Sequence, residues 1–88
     1  MKDVTIYTTN YCPYCMRAKR LLGKKGVAYK EIDVTGDDAM REKLVQMSDG
    51  MKTVPQIFIG GAHVGGFSDL SELDDEGKLD AMLADAPA

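Results

Sequence analysis

This chain has little that would suit it to a membrane, a metal or a long tether. No apolar run approaches the roughly 18 residues that a membrane-spanning helix requires, so no membrane association is expected. The opening Met1-Lys2-Asp3-Val4 lacks the apolar stretch of a secretory signal, and the expected location is the cytoplasm. Histidine occurs once, at His63, and cysteine twice, at Cys12 and Cys15. A structural zinc site takes about four ligands, so no metal site is expected. Internal repeats, linkers and low-complexity stretches are all missing. Eighty-eight residues with a hydrophobic fraction of 44% therefore read as a single domain, residues 1–88, with one compact core; a monomer is expected. A net charge of −3 leaves no case for a nucleic-acid partner.

The few cysteines are informative because of where they fall. Cys12-Pro13-Tyr14-Cys15 lies between a β-branched run, Val4-Thr5-Ile6-Tyr7, and a helical run from Met16 to Leu22. A structural disulfide here would close a very short loop and remove little entropy from the unfolded chain, so stabilisation is a poor reason for it. In a reducing compartment such a bridge is normally transient and chemical. Cys12 should sit at the helix N-terminus, where free N–H groups and the macrodipole favour a sulfur anion. Cys15, one turn further in, should be more buried and more nearly neutral. Cys12 is therefore the expected attacking thiol and Cys15 the resolving one.

Along the chain, Lys2 to Thr8 reads as a first strand. Pro13 suits a first helical turn, Tyr14, Ala18, Leu21 and Leu22 repeat at helical spacing, and Gly23 or Gly26 ends the run. Val27 to Val34 reads as a second strand. Asp37 and Asp38 begin a second helix whose apolar stripe is Met40, Leu44 and Met47, with those methionines as core filler and Gly50 as cap. Ile57-Phe58-Ile59, Gly60-Gly61 and Ala62-His63-Val64 form a tight hairpin. Ser68 caps a short helix, Leu79, Met82 and Leu83 belong to a last one, and Asp85 to Ala88 is a frayed tail. His63 is expected on a solvated strand face and takes no catalytic role.

Charge is unevenly spread. Arg17, Lys19, Arg20, Lys24 and Lys25 crowd the segment after the cysteines, where a helix C-terminus favours cations. Acidic residues dominate beyond residue 60; both sets read first as solvated helix faces. The element order β-α-β-α-β-β-α-α implies a parallel first pair joined by a right-handed crossover, closed by an antiparallel hairpin. The fold class is α/β: a mixed four-stranded sheet flanked by helices on both faces, a thioredoxin-like fold.

With these residues in place, the chain resembles the dithiol glutaredoxins over essentially its whole length. Cys12-Pro13-Tyr14-Cys15 matches that family's active-site tetrapeptide. Thr53-Val54-Pro55-Gln56-Ile57-Phe58-Ile59 resembles its glutathione-binding strand, and Val64-Gly65-Gly66-Phe67-Ser68-Asp69-Leu70 its second binding segment. The resemblance implies a glutathione-dependent thiol–disulfide oxidoreductase acting on glutathionylated and disulfide-containing proteins. Glutathione would be a co-substrate, and no tightly bound cofactor is expected. It also implies that Pro55 follows a cis peptide bond beside Cys12, and that Val54 pairs its backbone with the cysteine residue of glutathione. Thr53, Val54 and Pro55 would then form one side of the site, with Tyr14 packing beside the tripeptide. Gly66, Phe67, Ser68 and Asp69 would receive the γ-glutamyl end, since glycine permits close approach and a helix start attracts a carboxylate. Asp69 would hold the adjacent ammonium group.

The sequence departs from the family pattern at two places. Many relatives carry a lysine three positions before the first cysteine, reaching the glycine carboxylate of glutathione; here that position is Thr9. Arg41 and Lys52 are the candidates to supply the missing cation. Position 67, often a cysteine in relatives, is Phe67, which removes a third thiol. Two other readings compete. A glutathione-bridged dimer could hold a [2Fe–2S] cluster with two Cys12 thiolates and two glutathiones, though Pro13 weighs against it by resemblance. A thioredoxin-like electron carrier reduced by a flavoenzyme would leave Gly65-Gly66 and Ser68-Asp69 without a purpose.

Overall fold

The structure, a computed structural model, describes residues 2–84, so the expected frayed tail lies outside the described residues. Four strands, β1 (Val4–Thr8), β2 (Tyr29–Asp33), β3 (Gln56–Ile59) and β4 (Ala62–Gly65), alternate with or precede four helices. The helices are α1 (Pro13–Lys24), α2 (Asp38–Met47), α3 (Phe67–Asp75) and α4 (Leu79–Leu83). The strands form one mixed sheet in the order β2-β1-β3-β4. β1 runs parallel to β2, with Val4 opposite Tyr29, and antiparallel to β3, with Val4 opposite Ile59. This is the expected α/β, thioredoxin-like arrangement.

Strand alternation sends side chains to two cores. Val4, Ile6, Ile57 and Ile59 face one side, against Ala18 and Leu22 of α1, Leu70 of α3, and Leu79 and Leu83 of α4. Tyr7 and Phe58 face the other, ring edge to ring face at 5.6 Å, together with Val34 and Leu44. In α1 the buried residues Cys15, Ala18 and Leu22 recur at helical spacing, so the packing that seats the helix also sinks the second cysteine. Full burial of a leucine or isoleucine side chain stabilises the fold by about 1.5–3 kcal/mol, so this face anchors α1 firmly. Beneath it, the carboxylate of Glu31 accepts from Thr8 Oγ1 at 2.7 Å and from Lys19 Nζ at 2.9 Å, tying α1 to the sheet. The Thr8 hydroxyl, and then Lys19, hold the Glu31 carboxyl below its ordinary range.

Several boundaries differ from the sequence expectation, each for a hydrogen-bonding reason. β1 begins at Val4 because Lys2 N–H donates to Leu83 O at the end of α4, and Asp3 O accepts from Gly60 N–H. β2 starts two residues late because Val27 N–H closes the end of α1 on Leu22 O. It stops at Asp33 because the chain turns, with Asp37 N–H donating to Val34 O. Gly26, at φ +72°, rather than Gly23, takes the left-handed position after α1. Ser68 does not cap α3: Gly66 is the N-cap and Ser68 lies exposed in the first turn. Met47 is 38% exposed, so it is not core filler, whereas Met40 packs against the second core. The hairpin turn Gly60-Gly61 has both φ angles positive, as a two-residue turn of this kind needs. Between β3 and β4 the register slips, Phe58 facing His63 and Ile57 facing Gly65, which leaves Val64 over as a bulge. No helix among the described residues is long and apolar enough to cross a membrane.

Candidate active site

Cys12 is the N-cap of α1, with extended backbone, and Pro13 follows as the first helical residue. Its Sγ accepts from Cys15 N–H at 3.1 Å, and its thiol donates to Val54 O at 3.5 Å across the site. The sulfur thus bridges a helix mouth and the segment before β3. Both cysteines are free thiols, Cys12 half-buried and Cys15 only 1% exposed. Burial, reinforced by the Cys12 side chain, pushes the Cys15 thiol up to about 12, against a smaller downward pull from the Thr9 backbone and Lys19. The two sulfurs therefore differ in access, and the inner one resists ionisation.

The facing wall is Thr53-Val54-Pro55, with a cis Val54–Pro55 peptide bond. Just behind it, fully buried Gln56 donates from Nε2 to Thr53 O at 3.0 Å. Its Oε1 is then the acceptor for His63 Nε2 at 2.7 Å. His63 also stacks on Phe58, with ring centroids 5.1 Å apart. It is half-buried and occupied, rather than on the solvated face that the sequence suggested.

The third wall is the start of α3. Gly65 sits at φ +118°, and a Cβ placed there would come within 2.9 Å of Asp69 Cγ. Asp69 can lie this close only because the position is glycine. Its Oδ2 accepts from Gly66 N–H at 3.0 Å, closing the helix start. The remaining first-turn N–H groups have no partner within the helix, as at any helix N-terminus, and they face an anion-favouring field. Tyr14, 55% exposed, and Phe67 form the rim with ring centroids 6.4 Å apart.

These walls enclose a groove of about 340 Å³. Tyr14, Thr53, Val54, Pro55, Gly66, Phe67, Ser68 and Asp69, all expected to bind substrate, line it together. Arg41 and Lys52 do not. Arg41 Nη2 donates to Lys52 O at 3.1 Å, and its side chain borders a separate hollow with Tyr11 and Asp38. Thr9, in the family's lysine position, is 5% exposed, and its Oγ1 has no partner among the described residues. Sequence reasoning missed Met51, which lines the groove, and the Gln56–His63 support behind it. Gly65, expected with Gly66 to permit close approach of the γ-glutamyl end, does not itself line the groove; its lack of a Cβ gives room to Asp69. A larger hollow of about 630 Å³ around Thr5, Tyr7 and Phe58 shares no lining residue with the groove.

A half-buried sulfur at a helix mouth, a second sulfur one turn deeper and a groove beside them fit thiol–disulfide exchange. The glutaredoxin family model matches residues 4–64. The chain belongs to the glutaredoxin family. It is 52% identical over 84 residues to a glutaredoxin of Pseudomonas aeruginosa, spanning 96% of this chain and 99% of that one. It is 51% identical over 83 residues to glutaredoxin 3 of Escherichia coli strain K12, spanning 94% and 99%. Among solved structures, a buckwheat glutaredoxin–glutathione complex superposes with a TM-score of 0.87 at 36% identity, covering 93% of this chain and 76% of that one. Membership makes this protein a glutathione-dependent thiol–disulfide oxidoreductase, built on the thioredoxin-like fold of its glutaredoxin relatives.

Proposed function

We propose that Cys12 is the attacking sulfur, Cys15 the resolving sulfur, and the groove between Val54 and Asp69 the glutathione seat. The observation that carries this reading is the position of Cys12 Sγ, between the Cys15 N–H and the Val54 carbonyl at the groove's edge. The Cys12 thiolate attacks the glutathione sulfur of a protein–glutathione mixed disulfide. The protein thiolate leaves, and Cys12 carries glutathione. A second glutathione thiolate attacks that disulfide, forming glutathione disulfide and restoring Cys12. For a protein disulfide, Cys12 forms a mixed disulfide with the substrate, and Cys15 then attacks the Cys12 sulfur and expels the substrate thiolate. Two glutathiones reduce the resulting Cys12–Cys15 bridge.

Roles follow from position. Thr53 and Val54 present backbone groups to the tripeptide, Pro55 shapes the approach, and Tyr14 and Phe67 cover its apolar side. Gly66 and Ser68 offer N–H groups to its γ-glutamyl carboxylate, and Asp69 faces the ammonium group. Arg41 and Lys52 lie outside the groove, so any help they give the glycine carboxylate is long-range. Burial is the largest cause of the raised Cys15 pKa, so Cys15 must lose its proton as it attacks the Cys12 sulfur, whichever thiol Cys12 carries. The domain works as a monomer of residues 1–88, without a tightly bound cofactor, on glutathione and on disulfide-bearing or glutathionylated proteins. The cytoplasm suits two free thiols.

A coupled assay with glutathione reductase tests the scheme. Cys12→Ser should abolish both activities. Cys15→Ser should keep turnover of a glutathione mixed disulfide and lose reduction of a protein disulfide. Loss of both in Cys15→Ser contradicts the assignment.

A further inference from the structure

Beside the groove lies a second depression of about 240 Å³, floored by Leu21 and Phe67 and edged by Arg17, Arg20 and Lys24. The three cations occupy positions i, i+3 and i+7 of α1 and so share one helix face. All three are exposed. Their neighbours are treated differently: Lys19 is held by Glu31 at 2.9 Å, and Lys25 by Asp74 at 2.6 Å. Among the described residues no carboxylate pairs with Arg17, Arg20 or Lys24, although the whole chain carries a net charge of −3. The stripe is continuous with the groove at both of its rim residues. Phe67 lines both depressions, and the Arg17 guanidinium lies 5.2 Å from the Tyr14 ring centre.

From this geometry we infer that the Arg17–Arg20–Lys24 face docks an acidic segment of the substrate protein, flanking its reactive cysteine and laying one apolar side chain on Leu21. This rests on Cys12 as the attacking sulfur. From Cys12 to Lys24 the helix rises about 18 Å, which an extended chain spans in about six residues. The acidic residues therefore fall within about six positions of the substrate cysteine. Exposed charge pairs steer encounter more than they hold a complex, so the signature is a salt-sensitive kcat/KM. A basic target, or one with no charge near its cysteine, loses this help but keeps the chemistry.

Two synthetic peptides of equal length, one with three aspartates within six residues of its cysteine and one with three lysines there, are each prepared as glutathione mixed disulfides. At low ionic strength the acidic peptide should be reduced with a kcat/KM about tenfold higher than the basic one, and the gap should close toward 0.5 M salt, where the Debye length falls to a few Å, about 3 Å at 1 M. In Arg20→Glu/Lys24→Glu the preference should vanish or invert, while turnover of the mixed disulfide of glutathione and β-mercaptoethanol stays unchanged. That small substrate reports on the Cys12 reading by itself, so failure of the chemistry and failure of the docking face are separable. Equal rates for both peptides with the unaltered protein would overturn the inference. So would a preference that survives in the double variant, or a dimer of the protein that the double variant dissolves, since the face would then belong to a second copy. Should the double variant fail to fold, the salt titration of the unaltered protein decides alone.

Discussion

Replacing Gly65 with alanine puts the close approach of β4 to α3 under direct load. At φ +118° an L side chain is strained, and the added Cβ would lie 2.9 Å from Asp69 Cγ and 3.2 Å from Asp69 Cβ. Holding a non-glycine residue in such a region costs about 1–3 kcal/mol. Relief requires Asp69 to swing away, which breaks its charge-assisted bond from Gly66 N–H, worth about 1.5–3 kcal/mol. The two costs overlap, because one is relieved at the expense of the other, and about 2–4 kcal/mol of lost stability is expected. For a domain of this size that corresponds to a melting point lower by about 10–25 °C. The neighbouring Gly66→Ala is the control. Its φ of −89° is ordinary, and its Cβ would meet only Pro55 O, at 3.5 Å. Urea or thermal unfolding of the two variants should therefore separate them widely, and a Gly65→Ala protein that still folds should show a raised KM for a glutathione mixed disulfide. If the two variants melt within a few degrees of each other, the argument from the Gly65–Asp69 contact fails.

Other expectations are more compact. At neutral pH iodoacetamide should alkylate Cys12 and leave Cys15 intact in the folded protein; mass spectrometry showing Cys15 modified first would contradict its burial. Because the Cys15 thiol is raised to about 12, the folded state keeps that proton after the unfolded chain has lost it. Stability contributed by Cys15 is then full below about pH 8.5, the ordinary thiol pKa, and is lost as pH rises toward 12, with a slope of at most about 1.4 kcal/mol per pH unit. The difference between the unaltered protein and Cys15→Ser across that window should carry this slope, and a flat difference refutes it. Gln56→Leu should cost about 1–3 kcal/mol in urea unfolding, because Thr53 O and His63 lose their buried partner. Ile57→Ala, in the core beneath the sheet, should cost about 2–5 kcal/mol by the same measurement.

The cysteine pair and its place at a helix mouth were legible because that geometry is local. A strand, a proline at the first helical position and two thiols one turn apart specify a helix mouth with one outer and one inner sulfur. The order of elements was equally open to reading, since period-2 and period-3.6 patterns are properties of short stretches. Boundaries were less so. Nothing near Lys2 announces that its N–H goes to Leu83 O, and nothing near Val27 announces Leu22 O as its acceptor. The misplaced cap has the same origin: Ser68 has the right chemistry for capping α3, yet the turn of the chain puts Gly66 in that position and hands the bond to Asp69.

Sequence by itself determined the reaction type, the placing of one outer and one inner sulfur and the segments that make the groove, because each is written in neighbouring residues. Only the tertiary structure decided which distant groups meet. It joined Cys12 to Val54 O across 42 positions of chain, seated His63 on Gln56, and kept Arg41 with Lys52 outside the groove. Among the described residues it also left Arg17, Arg20 and Lys24 without a carboxylate partner while giving carboxylates to Lys19 and Lys25. The physical reason is the same throughout. Hydrogen bonds and ion pairs act over a few ångströms, and the closeness of residues far apart in the chain is set by how the strands align and the helices pack.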